Sequence, residues 1–94
     1  MCIAYAVSRS HDDAATVLPA RFGYIVSKAV GNAVTRNLVR RRMKTVSEAL
    51  IAEGLSGIEI VFRAHPAAAT ASFTDLDREM RTSVRRLAKK LQDA

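Results

Sequence analysis

Arg36, Arg40 and Lys44 recur at every fourth position in a stretch that reads SKAVGNAVTRNLVRRRMK over residues 27–44. On a helix this spacing stacks three cations along one face, with Asn37 and Arg41 on its flank. Arg42 adds a further charge, and no acid occurs between Lys28 and Glu48. Like charges four residues apart repel and weaken an isolated helix. A merely solvated basic face would intersperse acids, so the stripe calls for a polyanion. Ahead of it, the exposed amides near Gly31 and the positive helix N-terminus favour phosphate. The chemistry these residues offer is anion binding.

Covalent chemistry finds less support. Asp12-Asp13 can attract a cation, but two adjacent loop acids serve solubility. Ser27 beside Lys28 has the look of a nucleophile and base, without an oxyanion site or a third group. His11 and His65 lie far apart, and no histidine–cysteine cluster has metal-site spacing. Nothing in the chain forms a catalytic or metal constellation. Tyr5 has two readings. It belongs to the core with Ile3 and Val7, or it stands on an open sheet face and stacks on an unpaired base.

The elements that must position these groups follow from periodicity. CIAYAV alternates large Ile3, Tyr5 and Val7 with small Cys2, Ala4 and Ala6, a period-two strand. Residues 8–20 are rich in turn formers and read as a hairpin-like loop. ARFGYIVS is a second strand, with Phe22, Tyr24 and Val26 on one face and Gly23, Ile25 and Ser27 on the other. Gly31 turns the chain, Asn32 caps the basic helix, and Gly54 ends it. Its buried half is expected to hold Val34, Leu38, Val39, Met43, Val46 and Leu50. IEIVFRA, almost continuously apolar, predicts a central strand. After the small-residue linker HPAAATAS, Ser72 and Asp75 form a capping pair for a last helix. There Leu76, Met80, Val84, Leu87 and Leu91 make an apolar stripe. Arg78, Arg81, Arg85, Arg86, Lys89 and Lys90 fill the rest, a face read mainly as solvated. Phe22, Tyr24, Phe62 and Phe73 are assigned to the core. The order β-β-α-β-α implies an α+β sandwich, a sheet backed by helices.

Composition bounds the class. Ninety-four residues, 49% hydrophobic and 26% charged, suit one domain over residues 1–94 with a modest core. A formal charge of +6 and a pI near 10.3 favour nucleic acid or another acidic partner. One cysteine, Cys2, excludes an intrachain disulfide. Without a membrane-length apolar run or a signal peptide, a cytoplasmic protein with no membrane partner is expected.

The run RFGYIVSKAVGNAVTRNLVRRRMK resembles the signature region of the protein subunit of bacterial ribonuclease P. That region is a strand, Ser-Lys-Lys, a glycine–asparagine turn, then a helix bearing Arg-Asn-Arg and further basic residues. Here these are Ser27-Lys28-Ala29, Gly31-Asn32-Ala33-Val34 and Arg36-Asn37-Leu38. The likeness is specific over residues 21–44 and extends at lower stringency over the whole chain. It implies a small α/β sandwich of three to four strands with a left-handed β-α-β crossover around the basic helix. It implies an RNA-binding subunit of a tRNA-maturing endoribonuclease holoenzyme. In that holoenzyme the catalytic RNA, using Mg²⁺, removes the 5′ leader of precursor tRNA, and the protein supplies no catalytic residue and no tightly held cofactor. By resemblance, Lys28, Arg36, Asn37 and Arg41 match positions that contact the catalytic RNA. Tyr5, Arg36, Arg40 and Lys44 match positions that line the cleft for the leader.

Two departures stand in the motif: Ala29 replaces the second lysine and Leu38 the second arginine. Each lost phosphate contact flattens the salt dependence of binding by roughly 0.7 to 0.9. The chain also opens on its first strand, where the family carries a basic N-terminal helix. The expected consequence is an uncovered sheet face around Tyr5, weaker leader binding and self-association through that face. Competing readings are a general structured-RNA-binding protein of ribosomal or chaperone-like type, and a protein-interaction domain for an acidic partner.

Overall fold

The computed structural model describes the backbone of residues 2–8 and 20–92 and the side chains of residues 20–90. Three strands, β1 (Cys2–Ser8), β2 (Arg21–Ile25) and β3 (Ile58–Ala64), alternate with two helices, α1 (Ala33–Ala52) and α2 (Phe73–Gln92), in the order β1-β2-α1-β3-α2. The α+β class and element order follow the periodicities. The expected loop acids Asp12 and Asp13, and His11, lie outside the described residues.

Consecutive strands are not neighbours. The sheet order is β1-β3-β2, with β3 antiparallel to β1 and parallel to β2. This corrects the hairpin reading of the β1–β2 connection. β3 is the central strand because its apolar run alone can be paired on both edges and still cover a core. Along it Ile58, Ile60, Phe62 and Ala64 are buried, while Glu59 and Val61 are partly exposed and Arg63 is exposed. Onto the buried row pack Val39, Met43, Val46 and Leu50 of α1 and Leu76, Met80 and Val84 of α2. Phe22 stacks on Phe62, ring centroids 6.1 Å apart and nearly parallel. α1 lies against β2 and α2 against β1, so both helices cover one face of the sheet.

Two expectations fail on that face. Val34 and Leu38 are 78% and 40% exposed. The buried arc of α1 centres on Val39, Met43, Val46 and Leu50, and both residues lie more than about 100° of helical rotation from its middle. The buried arc of α1 is therefore narrower than its apolar half. Phe73, also 40% exposed, opens α2 three residues before Leu76, its first buried residue. It is not a core side chain.

The helix ends are set locally. Asn32 Oδ1 accepts the Thr35 N–H at 2.9 Å, and Ser72 Oγ accepts that of Asp75 at 3.0 Å. At the end of α1 the Gly54 N–H donates to the Ile51 carbonyl and the Leu55 N–H to that of Leu50. That pair of hydrogen bonds is a Schellman closure, with Gly54 at φ +107°. Gly31 is more constrained. Its φ is +156°, and a Cβ there would come within 2.9 Å of Thr35 Cγ2. Gly31→Ala is expected to cost about 1–3 kcal/mol, read as a lower thermal midpoint. A midpoint matching the parent would show that the turn relaxes freely.

Candidate nucleic-acid interface

Lys28 sits in a short 3₁₀ turn (Lys28–Val30) that Val30 anchors by being buried. The Val30 N–H donates to Ser27 O at 3.0 Å and the Gly31 N–H to Lys28 O at 3.2 Å. The turn thereby delivers Lys28, exposed, next to the capped start of α1. From that start Arg36, Arg40 and Lys44 climb one side of the helix, with Asn37 and Arg41 beside them. Arg40, Arg41, Lys44 and Asn37 are exposed, and Arg36 is half-buried. Arg40 Nη1 donates to Asn37 Oδ1 at 3.3 Å, which orients both side chains. The Nε of Arg36 is buried and makes no hydrogen bond. An unmade buried hydrogen bond costs about 1–3 kcal/mol, a cost that Arg36 carries in this fold.

Among the described residues, no carboxylate pairs with Lys28, Arg36, Arg40, Arg41 or Lys44. The ion pairs lie elsewhere: Arg78 with Asp75, and Arg81 with Asp77 and Glu53. Among the described residues the charge of the stripe is thus uncompensated. Arg42 behaves differently from its neighbours. Its Nη1 donates to the Ala71 carbonyl at 3.1 Å, tying α1 to the segment before α2 and taking that cation away from the stripe.

Tyr5, the remaining predicted residue, stands in β1 opposite Val61 of β3, which in turn pairs with Gly23 of β2. Val61 belongs to the row of β3 that alternates with the buried one. The backbone register therefore separates Tyr5 from the stripe on α1, and its side chain lies outside the described residues. Tyr24, on the helix-covered face, is half-buried beside α1. Burial raises its phenol above the ordinary 10.0, and nearby Ser47 partly offsets this.

Sequence reasoning missed the clamp that joins the C-terminal end of α1 to the body of α2. Arg81 Nη1 meets Glu53 Oε1 at 2.8 Å, and its Nε is bound by both oxygens of Asp77, at 3.0 and 3.2 Å. The Asp77–Arg81 spacing of four was legible; the 28-residue reach to Glu53 was not. The Arg81 hydrogen bond holds the Glu53 carboxyl below its ordinary 4.5. A lowered folded-state value means this contribution is present above 4.5 and is lost as pH falls through the lowered one. Thermal midpoints between about pH 6 and pH 3 should therefore fall less steeply in Glu53→Gln than in the parent. Parallel curves would show that the pair contributes nothing, the common fate of exposed pairs.

The described residues contain no group of three or more His, Cys, Asp and Glu able to hold a metal. No helix among them is long and apolar enough to cross a membrane. What the site offers is a row of cations, without a carboxylate partner among the described residues, on a capped helix.

A family model described as ribonuclease P matches residues 2–88. The chain is 49% identical over 69 residues to the ribonuclease P protein component of Kocuria rhizophila, covering 73% of this chain and 61% of that protein. It is 40% identical over 96 residues to that of an Arthrobacter species, covering 98% and 67%. Against the curated relatives it matches, such as those of Kocuria rhizophila and Clavibacter michiganensis, the chain spans about 60% of their length. The solved RNase P protein of Staphylococcus aureus superposes with a TM-score of 0.74 over 92% of this chain and 73% of that one, at 19% identity. That likeness is one of fold.

Proposed function

The chain belongs to the ribonuclease P protein family, and from that premise we propose that it is the RNA-binding subunit of a ribonuclease P holoenzyme, assisting a catalytic RNA in removing the 5′ leader of precursor tRNA. The observation that carries this reading is the face of α1 on which Arg36, Arg40, Arg41 and Lys44, with Lys28 just ahead, stand without a carboxylate among the described residues. A polyphosphate backbone neutralises such a row and releases its own counterions in doing so. Lys28, Arg36, Asn37 and Arg41 bear on the catalytic RNA; Arg36, Arg40 and Lys44 bear on the single-stranded leader, and Tyr5, set apart from them by its register in β1, bears on a different stretch of it.

The cleavage chemistry belongs to the RNA and its Mg²⁺. The protein lowers the repulsion between two polyanions, catalytic RNA and substrate, that must lie side by side. It acts on this reading in the cytoplasm, where both RNAs reside. Its part is electrostatic and positional, so its effect is greatest where divalent ions are scarce.

Cleavage of a precursor tRNA carrying a 5′ leader, by bacterial ribonuclease P RNA at low Mg²⁺, tests the proposal. Addition of the chain is expected to restore cleavage. Binding of both RNAs without any gain in cleavage, or equal affinity for precursor and mature tRNA, would instead indicate a general structured-RNA-binding protein.

A further inference from the structure

α2 carries a second basic surface that the family reading leaves unused. Its apolar stripe is spent on the core through Leu76, Met80 and Val84, and Arg81 is engaged in the clamp with Glu53 and Asp77. On the outward side Arg85, Arg86, Lys89 and Lys90 are exposed, and none of them has an ion-pair or hydrogen-bond partner among the described residues. Arg85 with Lys89, and Arg86 with Lys90, form two adjacent columns, each about 6 Å long on the helix axis.

This surface is separate from the stripe on α1. α1 leans on β2 and α2 on β1. The flank of α1 that meets the approach to α2 carries Arg42, bound to Ala71 O, and not Arg36, Arg40 or Lys44. An acidic membrane would need a row of apolar side chains beside the cations to enter the interface, and Leu76, Met80 and Val84 of the apolar stripe are buried in the core. What fits four bare cations on a rigid helix is a run of phosphates. We infer that the outer face of α2 is a second seat for the phosphodiester backbone of structured RNA, engaging a segment other than the one on α1. The inference rests on the proposed RNA-binding role and adds a site to it.

The test is salt-dependent binding of bacterial ribonuclease P RNA by the full 94-residue chain. The variants are Arg85→Gln/Arg86→Gln/Lys89→Gln/Lys90→Gln and, separately, Arg36→Ala/Arg40→Ala/Lys44→Ala, each checked for an unchanged thermal melt. The first set touches neither the core nor the clamp. It is expected to reduce the slope of log K against log salt by about 2.8 to 3.6 when all four cations meet phosphate. The two sets combined should give the sum of the separate losses. An unchanged slope in the α2 set, with a reduced slope in the α1 set, overturns the second seat and leaves the proposed function standing. No change in either set overturns both. Loss of binding to anionic phospholipid vesicles, with the RNA slope intact, assigns the face to a lipid surface and overturns the inference.

Discussion

Replacing Arg36, Arg40 and Lys44 together by alanine is expected to lower the salt slope of RNA binding by about two to three. Each cation that neutralises a phosphate releases roughly 0.7 to 0.9 of a counterion, and the effect multiplies with salt. Over a fourfold change in salt a slope loss of about 2.4 corresponds to about 30-fold in affinity. The prediction is unusually clean for a triple substitution. Alanine is the strongest helix former, and removing charges four apart relieves repulsion within α1. The aliphatic stem of half-buried Arg36 is the one packing contribution at stake. The thermal midpoint should therefore move little while the slope collapses. A parent-like slope would mean that RNA, if it binds, does so elsewhere on the molecule. Because Leu38 is exposed where the family motif carries arginine, Leu38→Arg is the matching gain, expected to steepen the slope by less than about one.

Phe62→Ala is expected to cost about 3–5 kcal/mol. Phe62 is fully buried at the middle of the central strand and stacks on Phe22. In backbone register its partners on either side are Ala4 of β1 and Tyr24 of β2. For a domain whose total stability is about 5–15 kcal/mol, that is a large fraction. In a chain of this size the thermal midpoint should drop by at least about 12 °C. RNA binding should fall with it although every cation on α1 is untouched, because β3 and α1 lose their common packing. A midpoint within a few degrees of the parent would place the core elsewhere. The contrast is diagnostic: one substitution set removes charge without fold, the other fold without charge.

Among the described residues, helix and strand boundaries were legible in the sequence because their causes are local. Asn32, Gly54 and Ser72 act within a few residues of themselves, and a strand such as IEIVFRA declares itself by its own side chains. The basic stripe was legible for the same reason, since a spacing of four on a helix needs no tertiary information. The membership of the family was also carried by that contiguous stretch.

Tertiary structure alone decided the rest. The insertion of β3 between β1 and β2 depends on which edges pair, and no periodicity records that. Val34 and Leu38 turned outward because the width of the buried arc is set by what α1 packs against, not by its own pattern. Arg42 and Arg81 illustrate the limit most directly. In the sequence they are cations like their neighbours. In the fold one is tied to Ala71 O and the other to Glu53 and Asp77. Partners 29 and 28 residues away are invisible to local pattern, so the sequence determined where positive charge gathers, while the packing of α1 against α2 decided which of those charges remain free.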